Sequence, residues 1–287
     1  MSHWGAFHNG PPAAARTAGR IFVGTCGYAY PDWRESGFYP PDIRAGAMLS
    51  FYARTFPITE LNTTWYQMPR EEVMERLLAQ APTGFLFTVK LHRSLSHEAE
   101  PSRTSSQTAA FRRGLTPLLQ SRRLAAVLLQ FPECFDRSPA HRRRLTSLLE
   151  LLSGLPLAVE FRHDSWAADK VFAEMEKRQV ALVLPDAPGL SGLFPPLRVA
   201  THRKFLYVRF HGRNREQWNR GGFQRLDYDY TEAELQEWIE RQLVPMADGT
   251  RQAFLFFNNH VRGQAARNAA TLARLIGDYG LELGKLA

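Results

Sequence analysis

Cysteine is scarce in this chain: Cys26 and Cys134 are the two among 287 residues. Two thiols so far apart make neither a disulfide framework nor a CxxC pair, which points to a reducing, cytoplasmic setting. Long apolar runs are missing as well. Nothing approaches the roughly 18 consecutive apolar residues of a membrane span, so no membrane partner is expected. Residues 1–20 lack the continuous apolar segment of a secretory signal and read as a disordered N-terminal extension, leaving 21–287 as one domain. No G-x-G-x-x-G follows the first apolar run, which removes support for a dinucleotide-binding fold. Lysine is rare too: Lys90, Lys170, Lys177, Lys204 and Lys285 are five of 36 basic residues.

What is present is an ordinary globular composition, 44% hydrophobic and 22% charged, which excludes a mostly disordered or fibrous chain. The net charge is +8, carried chiefly by arginine. A guanidinium fork suits phosphate, but an arginine bias also follows the nucleotide composition of a genome, and net charge speaks to association rather than chemistry. Between Arg103 and Arg144, nine arginines stand against two acids, Glu133 and Asp136. That segment reads either as a solvated outer helix face or as a nucleic-acid footprint.

Short apolar runs alternate with amphipathic segments. Residues 21–26, 58–62, 85–90, 124–130, 157–161, 180–184, 205–210 and 253–257 read as strands, and helical spacing recurs at 47–55, 70–80, 108–120, 139–152, 167–178 and 263–276. Ser138 before Pro139 caps one helix, and a box of Thr231 and Glu234, flanked by Tyr230 and Leu235 as a hydrophobic staple, opens another. Pro185, Pro188, Pro195 and Pro196 with Gly189 and Gly192 forbid a long helix after the sixth strand. The pattern predicts an α/β fold, a single (β/α)8 TIM-like barrel with one degenerate crossover after strand 6.

In such a barrel the strand ends share one rim, where active sites sit. Here the ends carry Thr25-Cys26, Glu60-Leu61-Asn62, Lys90, Gln130, Glu160-Phe161-Arg162-His163, Asp186, Arg209-Phe210-His211 and Asn258-Asn259. Residues two apart share a face, pairing Glu60 with Asn62, Lys90 with His92, Glu160 with Arg162 and Arg209 with His211. Lys90, Arg162 and Arg209 suit a phosphate or carboxylate, while Glu160 and His211 suit proton transfer, with Glu60 and Asp186 completing a catalytic set. The plainer alternative is an ion-pair layer that fills the barrel top. A divalent metal is the competing idea for a cofactor, with Glu60, Glu160, Asp186 and His211 as ligands, although they lack a local spacing signature and have cationic neighbours. No other cofactor is expected. Cys26 reads as a small semi-buried thiol rather than a nucleophile. Tyr28, Trp33, Tyr39, Trp65, Tyr66 and Trp166 follow strand ends, where they either stack on a sugar or base or pack the loops.

Taken together, Gly24-Thr25-Cys26-Gly27-Tyr28, Glu60 to Tyr66, Gln130-Phe131-Pro132, Glu160 to His163 with Ser165-Trp166, Tyr207 to Gly212, and Phe257-Asn258-Asn259 resemble the domain of unknown function 72 family, also called YecE-like. The resemblance runs from about Phe22 to Ile276 and implies a TIM-barrel-like fold; it implies little about activity. Its motif positions fall on Glu60, Asn62, Tyr66, Lys90, His97, Gln130, Glu160, Arg162, His163, Asp186, Arg209, His211, Asn258 and Asn259. Cys26 stands where serine is common in the family, and Tyr28 where tryptophan is.

Three function classes follow. The first is an enzyme acting by acid–base chemistry on a small anionic substrate, a phosphate ester or sugar phosphate, at the C-terminal rim. Asn62, Asn258 and Asn259 would orient hydroxyls, and Tyr28, Tyr66, His97, Gln130 and His163 would complete the binding wall. The second is a nucleic-acid-binding or divalent-metal-dependent phosphodiesterase or endonuclease-like barrel. The third is a non-catalytic ligand-binding module.

Overall fold

Strands form where the apolar runs lie: β1 (Arg20–Cys26), β2 (Ile58–Leu61), β3 (Leu86–Lys90), β4 (Leu124–Gln130), β5 (Leu157–Glu160), β6 (Ala181–Asp186), β7 (Phe205–Phe210) and β8 (Gln252–Phe257). Neighbours in sequence pair in parallel and β8 closes on β1, giving a closed barrel in the order of the chain. The computed structural model describes residues 19–98, 100–218, 222, 224–247 and 251–286. The extension expected at 1–20 lies outside them except for its last two residues, of which Arg20 opens β1.

Alternation along the strands sorts side chains into two layers. Phe22, Ile58, Ala126, Leu128, Ala158, Ala181, Val183, Phe205, Tyr207, Phe254 and Phe256 form one buried cluster, the barrel interior. Small side chains at 126, 158 and 181 leave room for the phenylalanines. The residues between them, such as Val23, Val127, Val159, Leu182, Val208 and Leu255, join the larger cluster under the helices.

Two crossovers depart from the sequence pattern, and the one after strand 6 is degenerate as expected. The helix expected at 108–120 starts earlier and is broken into Thr104–Gly114 and Thr116–Gln120. Gly114 packs so tightly that a Cβ there would lie 2.2 Å from the Pro69 carbonyl, and Pro117 has no N–H to continue the ladder. No helix joins β6 to β7; instead the Thr201 hydroxyl donates to Val180 O (2.7 Å) and accepts from Leu182 N (2.8 Å), pinning the loop to the barrel wall. The helix Glu232–Trp238 opens with the full capping box of Thr231 and Glu234. It runs through a π-helical turn, Ile239–Leu243, into Val244–Ala247. The wider turn falls just before Pro245, which has no amide hydrogen to give the preceding turn. Among the described residues, no helix is long and apolar enough to cross a membrane.

Candidate functional site

The inward series continues past the apolar layer into charge: Glu60 on β2 and Asn62 just after it, Lys90 on β3, Gln130 on β4, Glu160 on β5 and Arg162 after it, Arg209 on β7 and His211 after it, and Asn258 after β8. Arg209, 1% exposed, is the hub. Its Nη2 donates to Glu60 Oε1 at 2.7 Å and its Nη1 to Glu160 Oε2 at 2.6 Å. The Tyr207 hydroxyl donates to the other Glu60 oxygen at 2.7 Å and lies 3.0 Å from Thr88 Oγ1. Arg162 Nε meets Glu160 Oε1 at 2.7 Å. Burial alone would raise the Glu160 pKa, but Arg162, Arg209 and His211 outweigh it and hold the carboxyl well below its usual range.

His211 is locked into the same layer. Burial and the nearby Arg162 push its pKa down to about 3, so the ring is neutral at neutral pH. Asn258 Nδ2 lies 3.0 Å from Nδ1, which makes Nδ1 the acceptor and leaves the proton on Nε2, aimed at Glu160 Oε1 3.1 Å away. Arg162 Nη2 crowds that nitrogen at 3.2 Å. Both ring nitrogens are therefore committed.

Above this layer opens a cavity of about 840 Å³ whose wall includes Tyr28, Tyr30, Asn62, Trp65, Tyr66, Lys90, Gln130, Arg162, Arg209, Arg225 and Asn258. An adjoining space of about 460 Å³ shares Trp65, Tyr66, Lys90, Gln130, Arg162 and Arg225 and adds His97, Glu133 and Trp218. Glu60, Glu160 and His211 are fully buried below the floor and reach neither space. Lys90 Nζ faces the Trp65 ring at 5.2 Å, and its pKa is lowered to about 8 by burial and then by Arg209. Arg162 and Arg225 each lie 5.6 Å from the Trp218 ring, whose Nε1 is buried without a hydrogen-bond partner among the described residues, as is Asn62 Oδ1. His97 is lowered to about 4 by burial, Lys90 and Arg144. Tyr66, 65% exposed, stands on the rim.

Several sequence-predicted residues are not brought to this cavity. Asp186 points the other way: Arg213 grips it at 2.9 and 2.8 Å and Tyr230 donates to it at 2.7 Å. His163 caps a short turn by accepting from Ser165 N, and His92 does the same for Ser94 N. Asn259 spends its amide on Tyr228 O and Asn268, both at 2.7 Å. Glu60, Glu160, Asp186 and His211 consequently do not meet as one donor set, and no group of three or more His, Cys, Asp or Glu suited to a metal occurs among the described residues. Cys26 is buried 3.5 Å from Arg209 Nη2, with its thiol pushed up by burial. Trp33, Tyr39 and Trp166 are core residues, whereas Tyr28, Trp65 and Tyr66 line the opening.

Trp218 and Arg225 were not legible in the sequence, because they sit in an aperiodic segment after β7 that gives no positional signal. Tyr207 was within reach, two residues before Arg209 on the same face. Four of the nine arginines in the basic stretch bind backbone carbonyls within the fold: Arg123 donates to Phe85 O and Pro82 O, Arg112 to Ser153 O, Arg137 to Ser165 O and Arg144 to Ser96 O.

The family model "Protein of unknown function DUF72" matches residues 22–285. The UPF0759 protein YunF of Bacillus subtilis is 30% identical over 271 residues, 89% of this chain and 94% of YunF. The UPF0759 protein YecE of Escherichia coli K12 is 29% identical over 163 residues, 55% of this chain and 53% of YecE. Among solved structures, a DUF72 family protein from Thermotoga maritima superposes with a TM-score of 0.81 at 33% identity, covering 90% of this chain and 99% of that one.

Proposed function

The chain belongs to the DUF72 family, a membership that names no reaction, and from the chemistry of its barrel mouth we propose an enzyme acting by acid–base chemistry on a small anionic substrate, a phosphate ester or sugar phosphate. The observation that carries this reading is a surplus of cations. Arg209 and Arg162 answer the two buried glutamates, while Lys90 and Arg225 face the same cavity with no carboxylate at ion-pair distance among the described residues, so that the four cations outnumber Glu60, Glu160 and the wall residue Glu133. A dianion entering here meets an excess of positive charge in a partly desolvated site, beside the Trp218 ring. Arg162, Arg225 and Trp218 hold the anion; Asn62, Gln130 and Asn258 orient hydroxyls; Tyr28, Trp65 and Tyr66 form the wall.

The proton-transfer role expected of Glu160 and His211 moves to Lys90. Glu160 is held ionised beneath two guanidinium groups, and His211 has no free nitrogen. Lys90 lines the cavity and titrates near working pH, as an acid–base group should. Inorganic phosphate is the probe. It is expected to raise the melting temperature of the wild type in a saturable manner, by about 1.4 kcal/mol of stabilisation at ten times its Kd. Arg162→Ala and Arg225→Ala are expected to weaken the apparent affinity at least about tenfold. A phosphate response unchanged in both variants rules the reading out.

A further inference from the structure

Lys90 differs from every other cation in the wall by carrying a primary amine. The other lysines lie elsewhere: Lys170 and Lys177 on the helix Asp169–Arg178, Lys204 just before β7, and Lys285 near the C-terminus. Its backbone is firmly set, since its carbonyl accepts the Thr64 hydroxyl at 2.7 Å and its Cα is in register with Leu128 of β4. Lys90 lines the shared part of the two spaces, with its Nζ over the face of Trp65, and no carboxylate pins it among the described residues. Arg162 and Arg225 stand in the same wall, ready to hold an anion beside it.

We propose that the Lys90 amine forms a covalent imine with an aldehyde or ketone that also bears the anionic group, so that the substrates of this site are phosphorylated or carboxylated carbonyl compounds. The inference rests on the anion-site reading and narrows its substrate class. The Nζ lone pair attacks the carbonyl carbon, the C=O π electrons go to oxygen, and a proton transferred from nitrogen to oxygen gives the carbinolamine. A proton taken up from solvent on the carbinolamine hydroxyl lets it leave as water while the nitrogen lone pair forms the C=N bond of the iminium, and water reverses the sequence to release the carbonyl, the amine and that proton. The anion brought by the substrate offsets the positive charge that the iminium carries. Burial and the flanking arginines favour the free amine: at pH 8 about half of Lys90 is unprotonated, on the order of a hundredfold more than an ordinary lysine.

The test uses the full chain, glyceraldehyde 3-phosphate as probe, uncharged glyceraldehyde as control and cyanoborohydride to fix any iminium, with peptide mapping of all five lysines. The expected result is an adduct on Lys90 formed at least about tenfold faster than on any other lysine. It should form faster with the phosphorylated probe and slow when inorganic phosphate is added. Lys90→Met should lose that adduct while the remaining lysines label as before; the wild-type map is decisive even if this variant does not fold. No Lys90 adduct, or labelling spread evenly over the lysines, overturns the imine. If phosphate still stabilises the wild type in that case, the anion site stands and only the imine falls. Lys90 labelling that is equal for both aldehydes and indifferent to phosphate overturns the substrate class and removes support from the anion site itself.

Discussion

At the floor of the cavity, two carboxyl side chains from β2 and β5 converge, and only a planar two-pronged donor satisfies both at once. Arg209 supplies it with separate nitrogens to Glu60 and Glu160, a bridge that a single ammonium could not span in the same geometry. His211 adds a pH dependence to this layer. Its folded pKa lies near 3 against about 6.5 unfolded, so the unfolded chain binds the extra proton and stability falls as pH drops below about 6.5. Between pH 7 and pH 5 this one ring is expected to cost about 2 kcal/mol of stability. His211→Gln should remove that component, read as the difference between wild-type and variant urea midpoints at the two pH values. Other histidines titrate as well, which is why the difference carries the result. If variant and wild type lose stability in parallel, His211 is not buried as a neutral ring. The same residues show how far the sequence could be read. Inward parity runs 158, 160 on β5 and on to 162, 181, 183, 185 on β6, and 254, 256 on β8 and on to 258. His163, Asp186 and Asn259 therefore fall on the outer face, and strict alternation would have removed all three from the site. The burial of Glu160 and His211 beneath the floor was not legible, since parity gives a direction and not a depth.

Elements were legible where one physical signal dominated. The eight apolar runs became eight strands, Ser138 accepts the His141 amide as an N-cap, and the Thr231 box formed with both of its bonds. Apolar spacing could not show the break between Thr104–Gly114 and Thr116–Gln120, because it comes from a close approach to another part of the chain. Nor could it show what the arginines between 103 and 144 do, since a guanidinium on a helix surface and one reaching across a loop look alike in sequence. Arg123 is the clearest case: it follows α-helical residues Thr116–Gln120 and a turn, lies over the Phe87 ring, and bonds Phe85 O at 2.7 Å and Pro82 O at 2.8 Å. Those carbonyls follow the helix Glu71–Gln80, where Pro82 O also accepts the Phe85 amide at 3.2 Å. Arg123→Ala is expected to lower the unfolding free energy by about 2 kcal/mol, whereas Arg113→Ala at an exposed position should stay within about 0.5 kcal/mol. Equal effects in chemical denaturation would mean that Arg123 is surface charge and no more.

For the molecule as a whole, the question is where an anion is drawn: to the diffuse positive charge of the chain or to the barrel mouth. Arg113, Arg142 and Arg143 on helices and Arg122 in a turn are exposed members of the basic stretch, outside the wall of the cavity. At physiological ionic strength the Debye length is about 8 Å, so exposed charges act on the mouth only weakly, while Lys90 and Arg162 act at contact with less screening. Changing all four to glutamine takes the formal net charge from +8 to +4. Under the mouth-site reading, the phosphate-dependent rise in melting temperature keeps an apparent Kd within about twofold of the wild type, against the roughly tenfold loss in Arg225→Ala. A nucleic-acid surface on the stretch predicts the opposite pattern: binding of a labelled duplex at low salt would be lost in the four-arginine variant and kept in Arg225→Ala. Measuring phosphate and duplex binding on the same two variants separates the readings, because a local site depends on which cations are removed and a diffuse one depends on how many.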